Sequence, residues 1–187
     1  SFNFLSIISS VLYVGYLYND IFIVNLSALI IIFAIVVFLL NFPFGKIFLG
    51  DSGSYIYAFF SGAMIIYLFQ RHSQLPTLLA MVILSYPITE MLFSIFRKIF
   101  LKHSPLKPDV NHLHHLIFKK LHGSLKFRNN LASLIMLPFC IIPFLLTYFS
   151  INYNLNDNFI KFVFYFIFYL ICYLFLFLSI KNIKSDF

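Results

Sequence analysis

Charge is what this sequence has least of. Only 10% of its 187 residues are Asp, Glu, Lys or Arg, against 61% hydrophobic, and the mean hydropathy is +0.95. A soluble domain covers itself with about 25% charged residues. This chain cannot do so, which excludes a soluble globule and points to a polytopic membrane protein. Cysteine is scarce as well. Cys140 and Cys172 both sit in apolar runs, so neither a disulfide framework nor a cysteine-based zinc site is available. Tryptophan is absent, while Phe (27) and Tyr (12) abound, a bias with no functional reading of its own. The first stretch lacks the basic n-region and small-residue cleavage site of a secretory signal peptide. There is no internal repeat, no low-complexity linker and no room for a second domain.

What is present is a series of apolar runs. A helix needs about 20 apolar residues to cross the hydrocarbon core. Six segments approach that length: about Phe2 to Tyr18, Ile21 to Leu40, Tyr55 to Phe69, Leu75 to Phe96, Leu131 to Ser150 and Phe159 to Ile180. They do not alternate apolar with polar residues as barrel strands do. The expectation is therefore an all-α polytopic membrane protein with about six transmembrane helices, in one transmembrane domain over residues 1–187. Polar joints separate the runs, the longest being about 41–54 and 97–130. With the 97–130 loop in the cytoplasm and the spans alternating outward, basic residues divide sharply. Lys46, Arg97, Lys98, Lys102, Lys107, Lys119, Lys120, Lys126, Arg128, Lys181 and Lys184 fall on the cytoplasmic side, against Arg71 and Lys161 outside. The net charge of +7 is mostly this topology signal. A basic face also attracts anionic lipid or a phosphorylated substrate. No nucleic acid is expected as a partner, because no reading element accompanies the charge.

Two of the cytoplasmic segments carry candidate chemistry. The first runs from Asn41 through Gly50-Asp51-Ser52-Gly53-Ser54 to the start of the third span. Small residues there let a backbone approach a ligand, helix-start N–H groups favour anions, and a carboxylate beside them can hold Mg²⁺ against phosphate. The same residues read equally as a helix N-cap. The segment is not a P-loop, because Lys46 precedes its Gly-rich part instead of following it. The second segment, Ser104 to Leu116, places histidines at 112, 114 and 115 behind Pro105, Pro108 and Asp109. Such a cluster suits a metal site, helped by His103 or His122, or a phosphate site, since imidazole donates hydrogen bonds and moves protons near neutral pH. A solvated, merely His-rich loop is the bland alternative. Glu90 lies well inside the fourth span, where a carboxylate is either functional or the partner of a base such as Arg97. The Asn25-Leu26-Ser27 glycosylation pattern lies within a span and carries no meaning.

Together the two segments resemble the polyprenyl-phosphate N-acetylhexosamine-1-phosphate transferases (glycosyltransferase family 4). That family carries F-x-G-D-x-G-S and then P-D-x-x-H-[LI]-H-H. This chain reads Phe48-Leu49-Gly50-Asp51-Ser52-Gly53-Ser54 and Pro108-Asp109-Val110-Asn111-His112-Leu113-His114-His115. Asn41-Phe42-Pro43 and Arg97-Lys98 also look like the family. The resemblance implies transfer of a sugar-1-phosphate from a UDP-sugar to undecaprenyl phosphate, with release of UMP. Its products begin peptidoglycan, O-antigen, enterobacterial common antigen or teichoic acid assembly. It implies Mg²⁺ (with Mn²⁺ as a substitute), with Asp51 as metal ligand. Asn41 and Phe48 match positions that line the uracil pocket, and His112, His114 and His115 match the motif that contacts the donor diphosphate. Ser52, Gly53, Ser54 and Asp109 join the substrate-binding positions. The implied setting is the bacterial inner membrane, with a cytoplasmic active face, the lipid bilayer as surroundings and a homodimer compatible with the family.

The family also carries D-D-x-x-D and N-x-x-N-x-x-D-G motifs nearer the N-terminus, and neither occurs here. With no initiating Met and six spans against the family's ten or eleven, the expectation is a C-terminal portion, inactive alone. Two other classes compete with the transferase. One is a metal-ion transporter using the histidine loop, which few polar residues in the spans support. The other is a non-catalytic membrane subunit, which leaves the Gly50–Ser54 segment unexplained.

Overall fold

Proline and short polar joints decide where the helices stop. The computed structural model describes residues 2–43, 49–100, 112–153 and 157–184, and every regular element among them is helical. The elements are α1 (Phe2–Leu17), α2 (Ile21–Asn41), α3 (Gly50–Arg71), α4 (Leu79–Ile83), α5 (Ser85–Phe100), α6 (Leu113–Lys120), α7 (Leu125–Ile135), α8 (Leu137–Asn152) and α9 (Asn158–Lys184). Among the described residues, four stretches are long and apolar enough to cross a membrane: Ile21–Asn41, Gly50–Arg71, Leu125–Asn152 and Asn158–Leu176. The all-α polytopic architecture is as the sequence predicts. Beside those four stretches, α1 is a shorter apolar helix, and the expected fourth span, Leu75 to Phe96, is divided at Leu84 into α4 and α5.

Pro87 explains that break. It has no N–H to donate, and its ring crowds the carbonyl four residues back, at Ile83. The Ser85 hydroxyl donates to the neighbouring carbonyls of Val82 and Met81, at 2.6 and 3.0 Å. Pro138 similarly divides α7 from α8 at Met136. Pro143 stays inside α8 because the carbonyl it strands, that of Phe139, accepts a 2.6 Å hydrogen bond from the Tyr165 hydroxyl of α9.

The expected loop 97–130 is also corrected. α5 runs on to Phe100, α6 lies within the segment and α7 begins at Leu125.

α1 packs against α2, α3 and α8. The α1–α2 approach is close enough that a Cβ at Gly15 would lie 2.6 Å from Ile23 Cγ2, so only glycine fits there. Small buried residues, Ser10, Ser27, Ala34 and Ser61, serve the same close helix contacts. Ile23, Ser27, Ile30 and Ala34 form one buried stripe on α2, whereas Ile32, Phe33, Val36 and Leu39 are exposed, as befits a lipid-facing side. A second core joins α6, α8 and α9 through Leu113, Leu116, Ile117, Phe139, Tyr169 and Tyr173.

The chain direction sorts the joints into two poles. At one, Asp20 accepts from Ile23 N–H (3.1 Å) and pairs with Arg71 Nε (2.5 Å) and His72 Nε2 (3.1 Å), tying the α1–α2 joint to the end of α3. Burial of Asp20 raises its pKa, but Arg71, the Ile23 N–H and His72 outweigh burial and hold the carboxyl below its usual value. The other pole gathers the N-terminus of α1, the end of α2, the start of α3 and the whole of α6. There Phe2 packs on Phe38 and Phe42, and Asn130 donates to the Pro43 carbonyl at 3.2 Å.

Candidate functional site

α6 owes its place to a short apolar stripe. Leu113, Leu116 and Ile117 recur at helical spacing and are 0–2% exposed, against Tyr169 and Tyr173 of α9. Burying that face leaves His114 and His115 on the opposite side. Both ends of α6 are pinned from other helices. Glu90 Oε1, from α5, accepts from Leu113 N–H at 3.1 Å and lies 2.9 Å from His112 Nδ1. The Tyr169 hydroxyl donates to Glu90 Oε2. At the C-terminal end, Arg128 Nη2 donates to the Phe118 carbonyl at 2.7 Å, and its guanidinium lies 4.2 Å from the Phe118 ring centre. His112 occupies the N-cap position with extended backbone, its own side chain making no capping bond, so Glu90 supplies the cap instead.

The three predicted histidines are brought together. The His114 and His115 rings lie 4.2 Å apart, and the His112 ring lies nearly parallel to that of His114 at 5.8 Å. Burial pushes the His114 ring down to about 4, His115 and His112 add to the shift, and Glu90 opposes it. His115 is lowered in the same direction, by burial first and then by His112 and Lys119. Both rings are therefore neutral near pH 7, each with one N–H to donate. They open on a cavity of about 470 Å³ whose remaining walls include Phe2, Phe118, Asn129, Ser133 and Met136. Its lining is mostly apolar, with histidine, amide and hydroxyl groups set into it.

Asp51 and Ser52 to Ser54 lie in the first turn of α3. The N-cap reading of Asp51 is not what the structure holds. Leu49 is the N-cap, with no side-chain capping bond, and Asp51 is already inside the helix. Its carboxylate is exposed and, among the described residues, has no side-chain partner, while its backbone carbonyl accepts from Ser54 Oγ at 2.7 Å. A negative charge there favours the helix start. Gly50 has φ +61° with open space where a Cβ would lie, so glycine is required by conformation and not by crowding. Asn41 closes α2 at the same pole. Phe48 and Asp109, also expected at the site, lie outside the described residues. Among the described residues no group of three or more His, Cys, Asp or Glu is arranged to hold a metal ion.

Glu90 does not pair with Arg97, the partner its sequence position suggested. Arg97 Nη1 instead donates to Tyr173 at 2.5 Å, one helical turn along α9 from Tyr169. Asn129, Ser133 and Tyr169 were not predicted at the site. Asn129 and Ser133, four apart at the polar start of α7, were a legible signal for a wet helix face.

Fold and site together define an all-α, multi-pass membrane protein with a cationic, histidine-bearing pole. In comparison with known proteins, the chain is 35% identical over 82 residues to the undecaprenyl-phosphate alpha-N-acetylglucosaminyl 1-phosphate transferase of Thermotoga maritima. That match covers 43% of this chain and 26% of the relative, so the chain spans about a quarter of the length of the curated relative it matches. No family model matches, and no solved structure matches.

Proposed function

We propose that this chain carries the phosphate-handling side of an enzyme that moves an N-acetylhexosamine-type sugar-1-phosphate from a UDP-sugar to undecaprenyl phosphate. UMP is released, and the lipid-linked sugar begins a bacterial cell-envelope glycan at the cytoplasmic face of the inner membrane. The observation that carries this reading is the anchored histidine cluster opening on a mostly apolar cavity, with histidine and amide groups in its lining, at the pole that also holds Asp51.

In the reaction, an oxygen of the acceptor phosphate attacks the sugar-bearing phosphorus of the donor. A new P–O bond forms as the bond to the UMP oxygen breaks, and the electron pair leaves with UMP. Such transfers depend on positioning and charge neutralisation more than on covalent help from the protein. His114 and His115 would donate N–H groups to phosphate oxygens, while the apolar wall of the cavity would take the first units of the lipid. Asn41, with Phe48, would bind the uracil. The exposed Asp51 carboxylate fits Mg²⁺ or Mn²⁺ as a single protein ligand, because such ions keep several waters and share substrate phosphates. When bound, the ion would neutralise charge on the transferring phosphates.

The test uses the longest natural polypeptide that carries this sequence, reconstituted with undecaprenyl phosphate and UDP-N-acetylhexosamines. UMP and lipid-linked sugar are measured. We expect Mg²⁺-dependent UMP release, lowered by about 100-fold or more in kcat by Asp51→Asn, since that change weakens the charge stabilisation of the transition state. Turnover of Asp51→Asn within twofold of wild type, or no UMP release from UDP-N-acetylhexosamines, would overturn the assignment.

A further inference from the structure

Glu90 is held more tightly than a helix cap requires. Its side chain is 13% exposed and accepts from three groups on two other helices: His112 and Leu113 of the α6 start, and Tyr169 of α9. The buried stripe of Leu113, Leu116 and Ile117 and the Arg128 contact at the other end already hold α6. What the carboxylate adds is direction for one imidazole.

Glu90 Oε1 already accepts from the Leu113 N–H, so the ring nitrogen facing it at 2.9 Å must bring the hydrogen. That nitrogen is Nδ1. A neutral His112 then carries its proton on Nδ1 and presents an unprotonated Nε2 on the far side of the ring. We infer that Glu90 is a positioning residue, which sets the tautomer and the direction of His112 so that its Nε2 faces the phosphate-binding region beside His114 and His115. The consequence for turnover rests on the transferase reading above, whereas the tautomer does not. Tyr169 completes the arrangement. Being 1% exposed and packed edge-on against Phe93 and Phe139, it leaves the carboxylate little freedom to rotate.

The experiment has two arms on the longest natural polypeptide carrying this sequence, labelled with ¹⁵N-histidine. The His112 signals are assigned by their loss in His112→Asn. In the first arm, imidazole ¹⁵N shifts should show Nδ1–H for His112 in wild type and its loss in Glu90→Ala. Glu90→Gln, which keeps a carbonyl acceptor, should retain Nδ1–H. In the second arm, with UDP-N-acetylglucosamine and undecaprenyl phosphate, Glu90→Ala should lower kcat by about 100-fold, the scale of a misplaced catalytic group. Glu90→Gln should recover at least tenfold of that loss, and Glu90→Ala should add nothing in the His112→Asn background. An unchanged His112 signature in Glu90→Ala overturns the inference whatever the activity. Wild-type turnover by Glu90→Ala in an active enzyme overturns it as well. A wild type that shows the signature but no turnover overturns the transferase reading and leaves the Glu90–His112 coupling standing.

Discussion

His114 meets its neighbours with an unusually weak hold on a proton, and the sign of the consequence can be worked out. Its ordinary value is 6.5 and burial among the other imidazoles brings it to about 4. The unfolded chain therefore takes up this proton near pH 6.5, and the folded chain only near pH 4. Between those values the unfolded state binds more protons, so stability is fully present above pH 6.5 and falls as the pH drops toward 4. Thermal melting in detergent, followed from pH 7 to pH 4.5, should show that fall, and His114→Asn should flatten it. An unaltered slope in the variant would mean that the ring titrates normally. His115 shifts the same way and adds to the fall below pH 6.5, whereas Asp20 acts only below its ordinary value of 3.8. The residue types of the site were legible in the sequence, because Gly50-Asp51-Ser52-Gly53 and three histidines in four positions are unusual chemistry for an apolar chain. The role of Asp51 as a first-turn residue instead of a cap was not. Which residue starts a helix depends on the backbone around Gly50, whose positive φ the sequence permits but does not announce.

The helices show how a membrane span tolerates proline. Pro143 removes one donor from α8, and the freed Phe139 carbonyl is met by a hydroxyl from another helix, that of Tyr165. Tyr165 is 2% exposed, so no water can replace it. Tyr165→Phe should cost about 0.5–2 kcal/mol, the span found for interhelical hydrogen bonds in membranes. Denaturation in mixed micelles would detect the loss, and an unchanged midpoint would show that the carbonyl finds another donor. The apolar runs locate the helices well, since each must satisfy its backbone internally in lipid. They locate the interruptions poorly. Pro87 breaks one run, yet Pro143 passes within another, and the difference lies in a partner hydroxyl that is distant in sequence. α6 was hidden for another reason. Its stripe of Leu113, Leu116 and Ile117 is only two turns long and lies among charges, too short to stand out from a loop.

The whole molecule is electrically lopsided. Among the described residues, Arg97, Lys98, Lys119, Lys120, Lys126 and Arg128 lie on α5, α6 and α7 at the pole of the histidines. The opposite pole holds Arg71 and Lys161 with Asp20 and Asp157. Basic residues stay in the cytoplasm when a chain inserts, so the histidine pole should face inward. A membrane-impermeant maleimide tests this in a background from which Cys140 and Cys172 have been replaced. Ser73→Cys should label in intact spheroplasts, and His122→Cys only after permeabilisation. The reverse pattern would place the proposed site on the wrong side for a UDP-sugar.

The sequence by itself determined the membrane setting, the helical class, the charge asymmetry and the chemical types of the candidate residues. Each of these follows from composition or from a local pattern, which needs no knowledge of neighbours. Only the tertiary structure decided that Glu90 serves His112 and not Arg97, and that Tyr169 closes that contact. It also decided that His114 and His115 share a cavity with Phe2, Asn129 and Ser133. Those pairings join residues from α1, α5, α6, α7 and α9. They exist because helix packing brings distant faces together, and no spacing along the chain encodes that.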